Sequence, residues 1–257
     1  MADKKKTTAV ITSKVELCPQ IFDLWLLAPE VAKVAKPGQF LSIYVKDGAR
    51  LLPRPISICE VDEKKEQLRI VFRIAGKGTE EISTYAVSDS VEIMGPLGNG
   101  FMTDNFESAI LIGGGIGIPP MLELAKTLTC KKTIVLGYKD QSNFLAKEFE
   151  AYGKVVIATE DGSVGTKGNV IDAINEQHVS GDMILACGPT PMLRSIKAYA
   201  IKENIKAQVS LEEKMACGIG ACLACVCKSK EVDHHTHVNN KRICKDGPVF
   251  FADEIEL

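Results

Sequence analysis

Four cysteines crowd the stretch MACGIGACLACVC, which runs from Met215 to Cys227. Three of them, with a later one, read Cys217-x4-Cys222-x2-Cys225-x18-Cys244. Cys-x4-Cys-x2-Cys followed by a distant cysteine is the ligand spacing of a 2Fe–2S cluster. Three thiolates on one loop must wrap a flat cluster, and Gly218 and Gly220 permit the tight turns this needs. Ala216, Ala221 and Ala224 are small enough to let backbone N–H groups approach the sulfurs. Two other readings stay open. A structural zinc site also takes four cysteines, usually as two short-spaced pairs. Here the second half offers Cys244 alone, although His234, His235 and His237 lie near enough in sequence to complete such a site. Otherwise the cysteines are free thiols. Cys227 breaks the spacing and is expected as a buried thiol, and Cys18, Cys59 and Cys130 as core fillers.

A second candidate lies upstream. "LIGGGIGIPP" sets Gly113, Gly114, Gly115 and Gly117 between an apolar run and a helical pattern. Backbone N–H groups at a strand-to-helix turn can cradle a pyrophosphate. The spacing is not G-x-G-x-x-G, so a turn that merely packs is a fair alternative. "LACGPTPML" places Cys187, Gly188 and Pro189 at the end of a later apolar run. Two such turns on one sheet edge make a nucleotide crevice. "LLPRPISIC" carries Arg54 and Ser57, and "AGKGTEEIS" carries Gly76, Gly78 and Thr79, with Thr79 the expected helix N-cap. An arginine beside a glycine-rich helix start suits a second pyrophosphate, so together these point to a flavin dinucleotide. Taken separately, each is an ordinary surface arginine or capped helix.

Positioning these groups takes three kinds of scaffold. Over 1–103, short runs such as "TAVITSKVEL", "GQFLSIYV" and "LRIVFRIA" alternate with turn residues, which predicts a β-sandwich or barrel. One helix is expected at about Glu80–Val87. Over 104–210, "SAILIGGG", "TIVLGY", "KVVIAT" and "DMILAC" predict buried strands. Helices are expected from Pro119 and near 143–152, 169–177 and 191–204. That alternation predicts a doubly wound parallel sheet with helices on both faces. After about Ser210 the pattern dissolves, leaving 211–257 as a small cysteine module.

The chain's 257 residues are 46% hydrophobic and 25% charged, with a formal net charge of −2, which fits soluble globular domains. No basic stripe points to nucleic acid. "MADKKKTT" lacks the apolar run of a signal peptide, and nothing approaches the ~20 apolar residues of a membrane span. A cytoplasmic chain is expected. Nine cysteines, an odd number, read as thiols or metal ligands and not as a disulfide frame.

With these motifs in this order, the chain resembles the ferredoxin–NADP reductase superfamily over roughly its first 210 residues. "RPIS" is similar to that family's Arg-x-Tyr-Ser flavin motif, "GKGT" to its flavin pyrophosphate turn, and "GGGIGIPPML" and "CGPTPML" to its nicotinamide turns. With "CGIGACLACVC" added, it looks like the branch that serves as electron-transfer subunit in two-subunit, NAD-dependent bacterial dihydroorotate dehydrogenases. The resemblance implies an antiparallel FAD-binding barrel, an NAD-binding α/β domain and a 2Fe–2S module. It further implies an FMN-containing TIM-barrel catalytic partner, assembled as a heterotetramer.

Carried over by position, Arg54 would contact the flavin phosphate, and Ser57 the isoalloxazine edge, with Pro55 and Ile56 between them. Val71, Phe72 and Arg73 fall on a strand that makes further flavin contacts, and Gly78 and Thr79 would hold the pyrophosphate. Gly113, Gly114, Gly115, Gly117, Gly188 and Pro189 would form the NAD turns, with Cys187 beside the nicotinamide. Cys217, Cys222, Cys225 and Cys244 would hold the cluster. Two departures stand out. Ile56 replaces the usual tyrosine, and the cysteine module occupies the place where simpler reductases end in an aromatic residue. Asp140 favours a free ribose hydroxyl, hence NAD, against its neighbour Lys139. The implied route runs from dihydroorotate through the partner's FMN, the cluster and FAD to NAD+. A reductase serving another acceptor, such as ferredoxin, sulfite reductase or hydrogenase, would need the same motifs. A zinc-stapled nucleotide-binding regulator is the reading from another class.

Overall fold

Alternating apolar residues close the first part of the chain into a six-stranded antiparallel barrel in the computed structural model. The structure describes residues 6–232 and 238–257; His234, His235 and His237 lie outside the described residues. The barrel strands are β1 (Lys6–Cys18), β2 (Ile21–Leu27), β3 (Phe40–Tyr44), β4 (Arg54–Val61), β5 (Gln67–Arg73) and β6 (Ser90–Leu97). They pair in the order β1-β2-β5-β4-β3-β6. Leu24, Leu41, Ile43, Ile58, Leu68, Ile70 and Ile93 fill the interior at 1% exposure or less, which is where the barrel's hydrophobic stabilisation resides.

Two helices decorate the barrel: α1 (Pro29–Ala32) and α2 (Lys77–Thr84). The second starts three residues before the expected Glu80, and Gly76, not Thr79, is its N-cap. Thr79 lies inside the first turn. Its hydroxyl oxygen accepts the N–H groups of Ala75 (2.8 Å) and Gly76 (3.2 Å) and donates to the Gly76 carbonyl. The threonine thus ties the entering chain, as the residue at the third helical position of a capping box does.

The parallel sheet contains β7 (Ser108–Gly114), β8 (Lys131–Tyr138), β9 (Lys154–Thr159), β10 (Thr166–Lys167), β11 (Met183–Cys187) and β12 (Lys206–Ser210). Its helices are α3 (Pro120–Thr127), α4 (Ala146–Phe149), α5 (Val170–Glu176) and α6 (Thr190–Lys202). Side chains alternate between the faces. Ile110, Ile112 and Ile184 pack with Ala173, Leu193 and Ile196 of α5 and α6, while Leu111, Ile134 and Leu185 pack with Met121, Leu124 and Phe149 of α3 and α4. The helix expected over 143–152 shrinks to α4. Leu145 is left-handed (φ 63°), and Asp140 Oδ1 accepts the Ser142 N–H at 2.8 Å, so local turn bonds compete with the helix.

The last segment does not stand apart. A hairpin of β13 (Val226–Lys228) and β14 (Asn240–Arg242) leads to β15 (Val249–Phe251), which pairs antiparallel with β12 at the sheet edge. Asn99, just past β6, donates from Nδ2 to the carbonyls of Lys245 (3.1 Å) and Asp246 (3.0 Å) and from its backbone N–H to Gly247 (2.6 Å).

An ionic seam joins the barrel to α3 and α4. Arg69, buried in β5, bonds both carboxylate oxygens of Asp23 and reaches Glu60 and Glu148. Lys126 bonds Glu60, and the Glu123 carboxylate accepts the Val61 N–H at 2.9 Å. Among the described residues, no helix is long and apolar enough to cross a membrane.

Candidate functional site

One cavity of about 640 Å³ collects most of the residues expected to hold flavin and nicotinamide. Arg54, Pro55, Ile56 and Ser57 of β4 form one wall. Val71, Phe72 and Arg73 of β5 form the next, with Thr79 of α2 beside them. The Phe72 ring itself stacks on Phe22, centroids 5.9 Å apart, in the barrel core. Gly117, Cys187 and Gly188 face them from the strand ends of the parallel sheet. A space shared by two scaffolds, mostly apolar with a few convergent polar groups, is the usual form of a cofactor site.

Gly78 is not a lining residue, but its role is visible. A Cβ there would stand 1.9 Å from Arg54 Nε. The guanidinium lies across the first turn of α2, and its Nη1 donates to the Leu52 carbonyl at 2.6 Å. Positive charge and first-turn N–H groups therefore converge on one spot, which suits a phosphate.

Gly113, Gly114, Gly115 and Pro189 also lie outside the lining. Gly113 and Gly114 are closely packed by Ile118 and Met192, and a Cβ on Gly117 would meet the Cys187 carbonyl oxygen at 2.5 Å. Of the four, Gly115 has open space beside it. Much of the glycine run thus serves to press one strand-end turn onto the other. Pro189 sets the extended residue that starts α6.

A third wall, Ser210 to Met215 with Phe40 and Pro248, was not expected from the sequence. The one available signal was position: this stretch joins the sheet to Cys217. Cys187 is 9% exposed. Burial pushes its thiol up to about 12; a Ser210 hydrogen bond opposes the rise and the Glu212 carboxylate adds to it. On the far side of the sheet, Asp140 and Asp161 each lie two residues beyond the Tyr138–Thr159 pair, placing two carboxylates at adjacent strand ends.

The cysteine loop turns sharply, with Gly218, Gly220 and Leu223 at φ +70°, +84° and +58°. The Cys217 sulfur accepts N–H groups from Ile219 (3.4 Å), Ala221 (3.3 Å) and Cys222 (3.4 Å). Although burial acts to raise the Cys217 thiol, these bonds hold it well below its ordinary value. A nest of N–H groups around sulfur favours the thiolate, the form that binds iron. Cys225 accepts the Cys244 N–H at 3.4 Å, and both are buried, whereas Cys222 is exposed. The four spaced thiols thus run from buried (Cys225, Cys244) through half-buried (Cys217) to exposed (Cys222), and thiolates are the donors an iron–sulfur cluster takes. Cys227, expected as a buried thiol, is only half-buried in β13; it packs against the core, and burial raises its thiol. Cys59 is buried as expected, but Cys18 and Cys130 are only half-buried, at strand and loop ends.

The family described as the iron-sulfur cluster binding domain of dihydroorotate dehydrogenase B matches residues 212–256, and the oxidoreductase NAD-binding domain matches 111–198. A Caldanaerobacter subterraneus subsp. tengcongensis protein, the dihydroorotate dehydrogenase B (NAD(+)) electron transfer subunit, is 43% identical, over 87% of this chain and 88% of its own. Its counterpart from Bacillus cereus strain AH187 is 41% identical over 98% of this chain and 99% of its own. This chain belongs to the family of dihydroorotate dehydrogenase B electron transfer subunits.

The family match from 212 to 256 takes in all four spaced cysteines, the β13–β14 hairpin and β15. Among solved structures, an NADH-dependent reduced ferredoxin–NADP oxidoreductase from work on flavin-based electron bifurcation is similar. It is 30% identical with a TM-score of 0.87, covering 96% of this chain and 89% of its own. A Neisseria gonorrhoeae ferredoxin NADP+ reductase solved with FAD and NADP is 16% identical with a TM-score of 0.65, over 77% and 91%. It shares the fold.

Proposed function

We propose that this electron transfer subunit takes electrons from a dihydroorotate-oxidising partner subunit and delivers them to NAD+, serving pyrimidine synthesis in the cytoplasm. The observation that carries this is the shared cavity. Flavin-type residues of the barrel, the Cys187 turn of the nucleotide sheet and the segment leading into the cysteine loop all border one space. A flavin exchanges one or two electrons and a 2Fe–2S cluster exchanges one, so bound together they join hydride chemistry to single-electron transfer.

Each protein group has a task. Arg54, with Gly78 leaving it room, and the first turn of α2 would hold the FAD phosphates. Ser57 and the strand Val71–Arg73 would orient the ring system. The segment 211–215, in the third wall, would cover the face that Ile56 leaves without an aromatic stack. Gly188 and Cys187 would seat the nicotinamide, and Asp140 and Asp161 would disfavour the extra phosphate of NADP. Cys217, Cys222, Cys225 and Cys244 would hold the cluster, with Ile219, Ala221 and Cys222 N–H groups stabilising thiolate charge. We take the partner to be an FMN-bearing TIM-barrel subunit, two copies of each forming a heterotetramer. The divisions 1–103, 104–210 and 211–257 follow the three tasks, except that 211–215 also borders the flavin cavity and β15 joins the nucleotide sheet.

The deciding experiment is a visible spectrum of the anaerobically purified chain before and after NADH, followed by a dihydroorotate:NAD+ assay with the partner added. Flavin and cluster bands that both bleach, and turnover in the assay, are expected. Colourless protein containing zinc would overturn the reading. The similar ferredoxin–NADP oxidoreductase keeps a second acceptor in view; co-purification from the native cell identifies which partner binds.

A further inference from the structure

One rung of hydrogen-bonded strands crosses the nucleotide sheet through the site. Leu136 pairs with Gly113, Gly113 with Cys187, Cys187 with Ser210, and Ser210 with Val249. The rung therefore runs from the glycine turn, through the thiol at the cavity, to the strand supplied by the cysteine module. Cys187 and Ser210 lie side by side on parallel strands, both line the cavity, and both are buried, at 9% and 7% exposure. Adjacent residues in register project to the same side of a sheet.

Resting on the reading of this cavity as the nicotinamide site, we propose that Ser210 is a positioning residue for Cys187. Its hydroxyl donates to the sulfur, so that the thiol's own hydrogen is free to point into the cavity. No bond to substrate forms or breaks at Ser210. A serine on a parallel neighbour is short and stiff enough to fix the sulfur, and β15 fixes the serine by pairing with β12 on its other side. Burial is the largest influence on the Cys187 thiol, the hydroxyl bond counters it, and Glu212 from the β12 exit reinforces it. A buried donor removed from sulfur is a loss of about one hydrogen bond, equivalent to roughly fivefold in an equilibrium.

The test uses the full-length, cofactor-loaded chain with Ser210→Ala and Ser210→Thr. The first readout is the pH profile of Cys187 alkylation by iodoacetamide, followed on its peptide by mass spectrometry. Ser210→Ala should move the profile to higher pH, Ser210→Thr should restore it, and Glu212→Gln should move it to lower pH. The second readout is NADH oxidation with ferricyanide: in Ser210→Ala, kcat should fall about fivefold with KM nearly unchanged. An alkylation profile in Ser210→Ala that coincides with wild type overturns the proposal. So does equal loss of function in the alanine and threonine variants, which would make Ser210 a packing residue. NADH failing to protect Cys187 from alkylation in the wild type would instead overturn the nicotinamide reading, and the proposal with it.

Discussion

The Arg54 guanidinium lies directly across Gly78, so close that a Cβ on the glycine would stand 1.9 Å from Nε. Two motifs 24 positions apart in the chain thus bring a guanidinium onto the first turn of a helix. Gly78→Ala should displace the arginine without harming the barrel core, since Gly78 lies at the helix start and α2 is anchored by Ile82. A lost charge-assisted contact is worth about 1.5–3 kcal/mol, so FAD should bind roughly ten- to hundredfold more weakly. Flavin fluorescence titration of the apoprotein measures this. Unchanged affinity would show that the spot does not hold phosphate.

Arg69 should matter for stability more than any other cation of the ionic seam. It and Asp23 are each 8% exposed as side chains. Removing one partner leaves the other charge buried, which costs about 3–5 kcal/mol. Arg69→Ala should therefore lower the urea midpoint strongly. Glu148→Gln, at a 44% exposed carboxylate, should cost less than about 1 kcal/mol. Equal effects from the two would place the seam's strength elsewhere.

Cys222→Ser should abolish the visible cluster spectrum while FAD stays bound, because the flavin cavity contains none of the four spaced cysteines. Cys227→Ser should keep that spectrum, since Cys227 is committed to the β13–β14 hairpin and the core. Loss of the cluster in Cys227→Ser, with retention in Cys225→Ser, would reverse the ligand assignment.

What the sequence made legible depended on how local the cause was. The barrel strands and the parallel strands β7, β8, β9 and β11 carry their own apolar signal. The cysteine spacing and the two strand-end turns also lie within single short stretches. The misses have non-local causes. Thr79 looks like a cap in sequence, but the chain enters α2 earlier, at Gly76, and Gly78 in that first turn lies under Arg54 from another strand. β15 is three residues long and is a strand only because β12 offers it an edge. Ser210 and Glu212 acquire a role only when the sheet brings them to Cys187. Most of the glycine run looked like a phosphate cradle, yet three of its four glycines are held by contacts with Ile118, Met192 and the Cys187 turn.

The strand β15 also decides what can be cut or grafted. A chain ended after Ser210 would leave β12 as an open edge of buried residues, the kind of surface that recruits foreign strands and aggregates. Asn99 would lose its three carbonyl partners in the same cut. The cysteine segment is thus not a bead threaded onto a reductase. Any engineered reductase that borrows it must also supply a free sheet edge and a barrel-end asparagine to receive it.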